Sequence, residues 1–180
     1  MQQPTKSFCN FLYLRVAKNR MPFIIASVVI WLLITIVASI DISIGLKNIF
    51  VFCCSVPLLP LSWMIGKKIG VNIFSKENEL GDLGFLFTMN QILYLLIVMW
   101  VFNVVPNKMI MVYAMVFGAH LLPYSWLYKS KAYKIFSIII PICALVLGNL
   151  FSGFVVAGAL TITEFIFVIV LHKEFEKFTI

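Results

Sequence analysis

The chain has 180 residues, of which 62% are hydrophobic and 12% charged, with a formal net charge of +7. Ordinary soluble domains carry about 25% charged residues, so the polar surface of a soluble globule is missing. The basic residues sit in short clusters between long apolar runs, which argues against a nucleic-acid partner and for a polytopic membrane protein.

Residues 1–22 form a basic leader. Phe8, Phe11, Leu12, Tyr13 and Leu14 beside Arg15 and Lys18 suit a short helix lying in the membrane interface, with a flexible cytoplasmic tail as the alternative. Six apolar runs follow: Phe23–Ile40, Ile49–Gly66, Phe85–Val104, Met109–Tyr128, Ile135–Phe151 and Phe154–Leu171. At about 1.5 Å per residue each covers about 25–30 Å, the hydrocarbon thickness of a bilayer. Runs so continuously apolar satisfy their backbone as helices, not as the alternating strands of a barrel. Val37 and Ala38 resemble a signal-peptide cleavage pair. Yet the first run is longer than a usual signal core, and cleavage would leave five spans with termini on opposite sides.

The expected fold is therefore all-α: a six-helix transmembrane bundle over residues 23–171, followed by a cytoplasmic tail at 172–180. Of the 14 basic residues, 12 flank one side of the alternating spans, and only Lys47 and Lys108 fall on the other. By the positive-inside rule both termini are cytoplasmic, with the lipid bilayer as the first partner of the chain. The loop from Lys67 to Asp82 lacks calcium-loop spacing and reads as a solvated connector.

Leu58-Leu59-Pro60-Leu61-Ser62-Trp63 recurs as Leu121-Leu122-Pro123-Tyr124-Ser125-Trp126, an offset of 63 residues that also sets Leu32-Leu33-Ile34 on Leu95-Leu96-Ile97. This predicts a tandem helical-hairpin repeat in the first four spans. Pro60 and Pro123 are candidate hinges, Ser62 and Ser125 can re-satisfy freed carbonyls, and Trp63 and Trp126 suit the headgroup boundary. A plain helix terminus with an aromatic anchor explains the same residues.

The stretch LGFLFTMNQILYLLIVMWVFNVVPNKMIMVYAMVFGAHLLPYSWLYKSKAY, Leu83 to Tyr133, resembles the central part of an uncharacterised family of small bacterial multi-pass membrane proteins, a domain of unknown function. The resemblance implies a bacterial inner-membrane protein and brings no activity, ligand or catalytic residue with it.

Ionisable groups inside a membrane are costly, and two lie within the runs: His120 and Glu164. Asn90, Gln91 and Tyr94 add polar groups in the third run. Counted from the cytoplasmic flanks, His120, Glu164 and Gln91 all lie about 13 Å deep. Gly153, Ala157, Thr161 and Glu164 are spaced 4, 4 and 3, a small-residue packing strip leading to the carboxyl, while Tyr113, Phe117, His120 and Tyr124 form an aromatic stripe. These residues predict a polar intramembrane cluster. Interhelical glue, a proton or cation path, and catalysis remain its three readings.

Catalysis has the least support, because no HExxH, GxSxG or phosphate-cradling glycine loop is present. The four cysteines, Cys9, Cys53, Cys54 and Cys143, lack CxxC spacing and read as buried apolar fillers, so neither a metal nor any other cofactor is expected. Two functions stand: a small transporter, channel or proton-coupled carrier, and a non-catalytic accessory protein that oligomerises or binds another membrane protein.

Overall fold

The computed structural model describes residues 21–70 and 80–179. The expected leader and most of the Lys67–Asp82 connector lie outside the described residues, as do some side chains of the third run, Gln91 included. All regular structure among the described residues is helical. In chain order the helices are α1 (Met21–Ser39), α2 (Ile44–Ser55), α3 (Leu58–Ile69) and α4 (Leu80–Val104). After a 3-10 turn at Pro106–Lys108 come α5 (Met109–Ala119), α6 (Leu121–Leu127), α7 (Lys131–Leu150) and α8 (Gly153–Thr179).

Five segments are long and apolar enough to cross a membrane: Met21–Ser39, Ile44–Ile69, Pro106–Leu127, Lys131–Leu150 and Gly153–Glu174. The remaining expected run, Phe85–Val104, falls in the 25-residue α4, whose apolar part among the described residues is Leu93–Val104. Large side chains such as Leu93, Leu96, Trp100, Ile142, Ile162 and Phe165 point outward. In water such a surface would drive aggregation, whereas acyl chains are its natural solvent. Cys53 and Cys143 are also on the outside and not packed as fillers, because a thiol is apolar enough to face lipid.

Two of the crossing segments are broken, and proline chemistry explains where. Pro57 has no N–H for the Cys53 carbonyl, which takes a 3.3 Å bond from Val56 instead, and a new helix begins at Leu58. In the second case α5 ends at Ala119, His120 forms the joint and α6 starts at Leu121. Pro60 and Pro123 are thus each the third residue of a fresh helix, where a missing N–H costs nothing. The joints thus lie three residues before Pro60 and Pro123, and at the second the backbone stays near helical, with His120 N donating to the Val116 carbonyl at 3.1 Å.

The connections assemble at two ends of the bundle. At one end the Lys47 ammonium donates to the Ala38 carbonyl (3.2 Å), the Asn48 amide to the Pro106 carbonyl (2.9 Å), and the Lys108 ammonium to Gly148 O (2.7 Å) and Asn149 Oδ1 (3.3 Å). Both lysines neutralise the last carbonyls of a helix, α1 for Lys47 and α7 for Lys108, each contribution being about 0.3–1 kcal/mol. At the other end Glu174 accepts from Ser130 Oγ (2.6 Å), Lys131 N (2.7 Å) and Ala132 N (3.2 Å), so a carboxylate from α8 covers the N-terminus of α7. That contact falls within the expected 172–180 tail, where α8 continues without a break to Thr179.

Helix directions follow from paired contacts. Ser27 and Thr35 of α1 meet Glu164 and Thr161 of α8, so the first and last helices run antiparallel. Likewise α5 and α7 are antiparallel, with Met111 beside Gly148 and Gly118 beside Ile140 and Pro141. A Cβ on Gly118 would stand 2.6 Å from the Ile140 side chain, closer than atoms can approach, so only glycine allows this crossing. The core along these seams is filled by Trp31, Ile34, Leu121, Ile140, Ala157 and Phe167.

Candidate functional site

The site is built where α8 lies on α1. Every fourth residue of α1 from Ser27, namely Ser27, Trp31 and Thr35, shares one helical face. On α8 the strip expected from the sequence meets it in part: Ala157 is buried, Thr161 Oγ1 lies 3.1 Å from Thr35 Oγ1, and Glu164 Oε2 lies 2.7 Å from Ser27 Oγ. Gly153, one end of that strip, packs instead on Ile110 of α5. Small residues let the backbones approach, and the approach brings the carboxyl onto α1.

Glu164 is wholly enclosed, with 0% of its surface accessible, and Ser27 is 4% accessible. Ser27 Oγ also lies 2.7 Å from the Ile24 carbonyl, while Glu164 Oε1 has no hydrogen-bond partner. A hydroxyl has one hydrogen to donate. Against an ionised carboxylate, Ser27 can serve the carboxylate or Ile24 but not both. If the carboxyl holds a proton, it donates to Ser27, Ser27 donates to Ile24, and both 2.7 Å contacts become hydrogen bonds. Burial of a lone charge without further donors is costly enough that the protonated arrangement is the one this geometry fits.

His120 occupies the joint between α5 and α6. Its ring packs edge-on against Phe117 (centroids 5.1 Å apart) and Tyr124 (6.0 Å), and its buried Nδ1 makes no hydrogen bond of good geometry. The stripe expected around it is real and extends further. Trp31 of α1 touches both Tyr113 (5.4 Å) and Phe117 (5.6 Å), and the Tyr113 hydroxyl donates to Ser55 Oγ at 2.6 Å. Towards the other end, Tyr124, Tyr128 and Tyr133 stack on to Phe167 of α8.

The expected residues are therefore gathered unequally. The hydrogen-bond partner of Glu164 is Ser27, with none recorded to His120 or Asn90. Glu164 and His120 are linked only through three residues, since Ser27 and Trp31 are consecutive turns of α1 and Trp31 leads through Phe117 to His120. Asn90 and Tyr94 lie half-buried on α4. Trp63 and Trp126 are exposed, 43% and 72%, with the Lys67 ammonium 3.8 Å above the Trp63 ring. Ser62 is buried, and Ser125 donates to the Leu122 carbonyl.

Sequence reasoning missed Ser27, Glu174, Lys108 and Asn48. The 27–31–35 spacing, a serine, tryptophan and threonine on one face of an otherwise apolar helix, carried the signal for Ser27. No local pattern announces Glu174 or Lys108, whose partners are about 40 residues away. Among the described residues no three His, Cys, Asp or Glu side chains gather as a metal site would require.

Residues 14–174 match the model of a family of unknown function, DUF7010. The chain belongs to that family. No curated protein and no solved structure matches it. Membership covers all eight helices up to the Glu174 cap and assigns no activity, so the functional reading rests on the site itself.

Proposed function

We propose that the protein is a small proton-coupled carrier or channel of a bacterial inner membrane, with six crossings and both termini in the cytoplasm. The observation that carries the transport reading is the pair of interrupted spans, one at Val56–Pro57 and one at His120, each directly before a Leu-Leu-Pro element. Discontinuous helices at corresponding positions of two halves are how many carriers build a midplane site, because the break frees backbone groups and gives the span a joint. The shared local design also supports the repeat, since Pro57 and His120 are themselves 63 positions apart.

The antiparallel α1 and α8 support six crossings. First and last spans run in opposite directions when the number of crossings is even, and the five apolar segments alone would make it odd. In this reading α4 supplies the sixth. The 12-to-2 partition of basic residues supports cytoplasmic termini, and the two exceptions, Lys47 and Lys108, are tied to helix ends. The accessory reading leaned on small-residue faces free for a partner. Thr161 is instead spent on α1 and Gly153 on α5, and Ala157 is fully buried, which favours the carrier.

Reconstitution into liposomes with an internal pH dye tests the reading. Wild-type protein is expected to dissipate an imposed proton gradient, alone or with a co-solute, and Glu164→Gln to abolish this while leaving the protein folded. Liposomes without flux, together with co-purification of a distinct membrane protein, would turn the reading to the accessory role.

A further inference from the structure

We propose that Ser27 and Glu164 form a proton-exchange pair, with the Ser27 hydroxyl turning between the Ile24 carbonyl and the Glu164 carboxyl as the proton is held or released. This rests on the carrier reading and deepens it by naming Glu164 as the group that holds the proton and Ser27 of α1 as the hydroxyl that turns with it.

The two states differ by one proton and one hydroxyl rotation. In the acid state Glu164 donates to Ser27 Oγ and Ser27 donates to Ile24 O, at the 2.7 Å distances seen. When the proton passes to a water molecule that reaches the seam, leaving as hydronium, the Ser27 hydrogen turns to Oε2, the Ile24 carbonyl keeps only its helical bond, and Oε1 still lacks a protein donor. A carboxylate with a single donor in an enclosed site is poorly stabilised, so the ionised state favours any movement that admits water or another hydroxyl. Thr161 lies one turn earlier on α8, and it and Thr35 provide the adjacent rotatable hydroxyls of the same seam. Releasing the proton therefore loosens α8 from α1.

The surroundings offer no competing charge. Of the helices packed on α8, α1 carries no ionisable residue. From α7 the tyrosine Tyr133 reaches Phe167, one turn past Glu164, and from α5 Tyr113 reaches α1 through Trp31, with His120 at the end of that stripe. Among the described residues no charged side chain acts on Glu164, whose one polar partner is Ser27.

Infrared difference spectroscopy of the full-length protein in lipid reads this pair without needing reagent access to a closed site. Wild-type protein is expected to show, at neutral pH, the C=O stretch of a protonated carboxyl at the high-frequency end of its range, because Oε1 accepts no hydrogen bond. The band should shift in D2O, vanish as pH rises and be missing in Glu164→Gln. In Ser27→Ala it should persist to a pH higher by about one unit, since a donor to the carboxylate is gone, and Ser27→Thr should restore the wild-type profile. A wild-type protein without the band at neutral pH, a band that neither exchanges nor titrates, or Ser27→Ala titrating as wild type would overturn the pair. An exchanging band in a protein whose liposomes show no flux would keep the pair and remove the carrier reading; flux without the band would do the reverse.

Discussion

Glu174 shows how one side chain can hold two helices. Its carboxylate takes three donors from the N-cap and first turn of α7, so truncation leaves Lys131 N and Ala132 N without that acceptor and removes a negative charge from the positive end of a helix dipole. Glu174→Ala is expected to destabilise the protein by about 1–2 kcal/mol, and Glu174→Gln by less, since an amide oxygen still accepts. Thermal unfolding in detergent measures both, and equal melting of Glu174→Ala and wild type would show that the cap contributes nothing. Lys108→Met at the opposite end of the same helix should cost about 0.5–1 kcal/mol by the same assay, because only the Gly148 carbonyl and the Asn149 side chain lose a donor. Such residues are invisible to local pattern reading, whereas Glu164 was legible because a carboxyl in an apolar run stands out by cost alone.

Helices α5 and α7 cross where Gly118 meets Ile140 and Pro141, and a side chain there has nowhere to go. Gly118→Leu should therefore force the helices apart and lower the melting temperature sharply, with a loss of about 2–3 kcal/mol. Gly45→Ala, whose new methyl group meets nothing within 4 Å, should be neutral and serves as the control. The interrupted spans make a different prediction. Pro57→Ala returns an N–H that can pair with the Cys53 carbonyl, and Pro123→Ala one for the Ala119 carbonyl, so each should tighten its joint and raise helicity. If the breaks are the moving joints of a carrier, flux falls while stability is kept or improved; unchanged flux in both variants would make them plain helix ends. The Leu-Leu-Pro elements were readable in the chain, but their placement at the start of new helices was not. Proline says that a donor is missing, and the rest of the bundle decides whether the helix bends, breaks or restarts.

Across the whole molecule the antiparallel pairing of α1 and α8 is the contact on which the proposed even number of crossings rests. Cysteines placed at Thr35 and Thr161, whose hydroxyls are 3.1 Å apart, should form a disulfide in a background freed of the native cysteines, while Thr35 with Ile162 should not, since Ile162 is exposed on the outer side. Reporter fusions after Asn107 and Ser152 should signal the external side, and fusions at the C-terminus the cytoplasm. A cytoplasmic signal after Asn107 would sink the six-span reading.

What the amino-acid sequence determined by itself was everything that depends on composition and local period: a membrane solvent, helices in place of strands, the apolar runs and the two groups too costly to bury without consequence. Those properties are set by transfer free energies and backbone hydrogen bonding, which act within one turn or one run. Only the tertiary structure decided who faces whom. The depth count placed Glu164, His120 and Gln91 in one layer, yet depth says nothing of azimuth, and the rotation of α8 turned its carboxyl to Ser27 on α1. The same holds for Lys47 and Lys108, whose charges read as topology markers, and for Glu174, which no local pattern singles out, until the fold brought helix ends within reach of them.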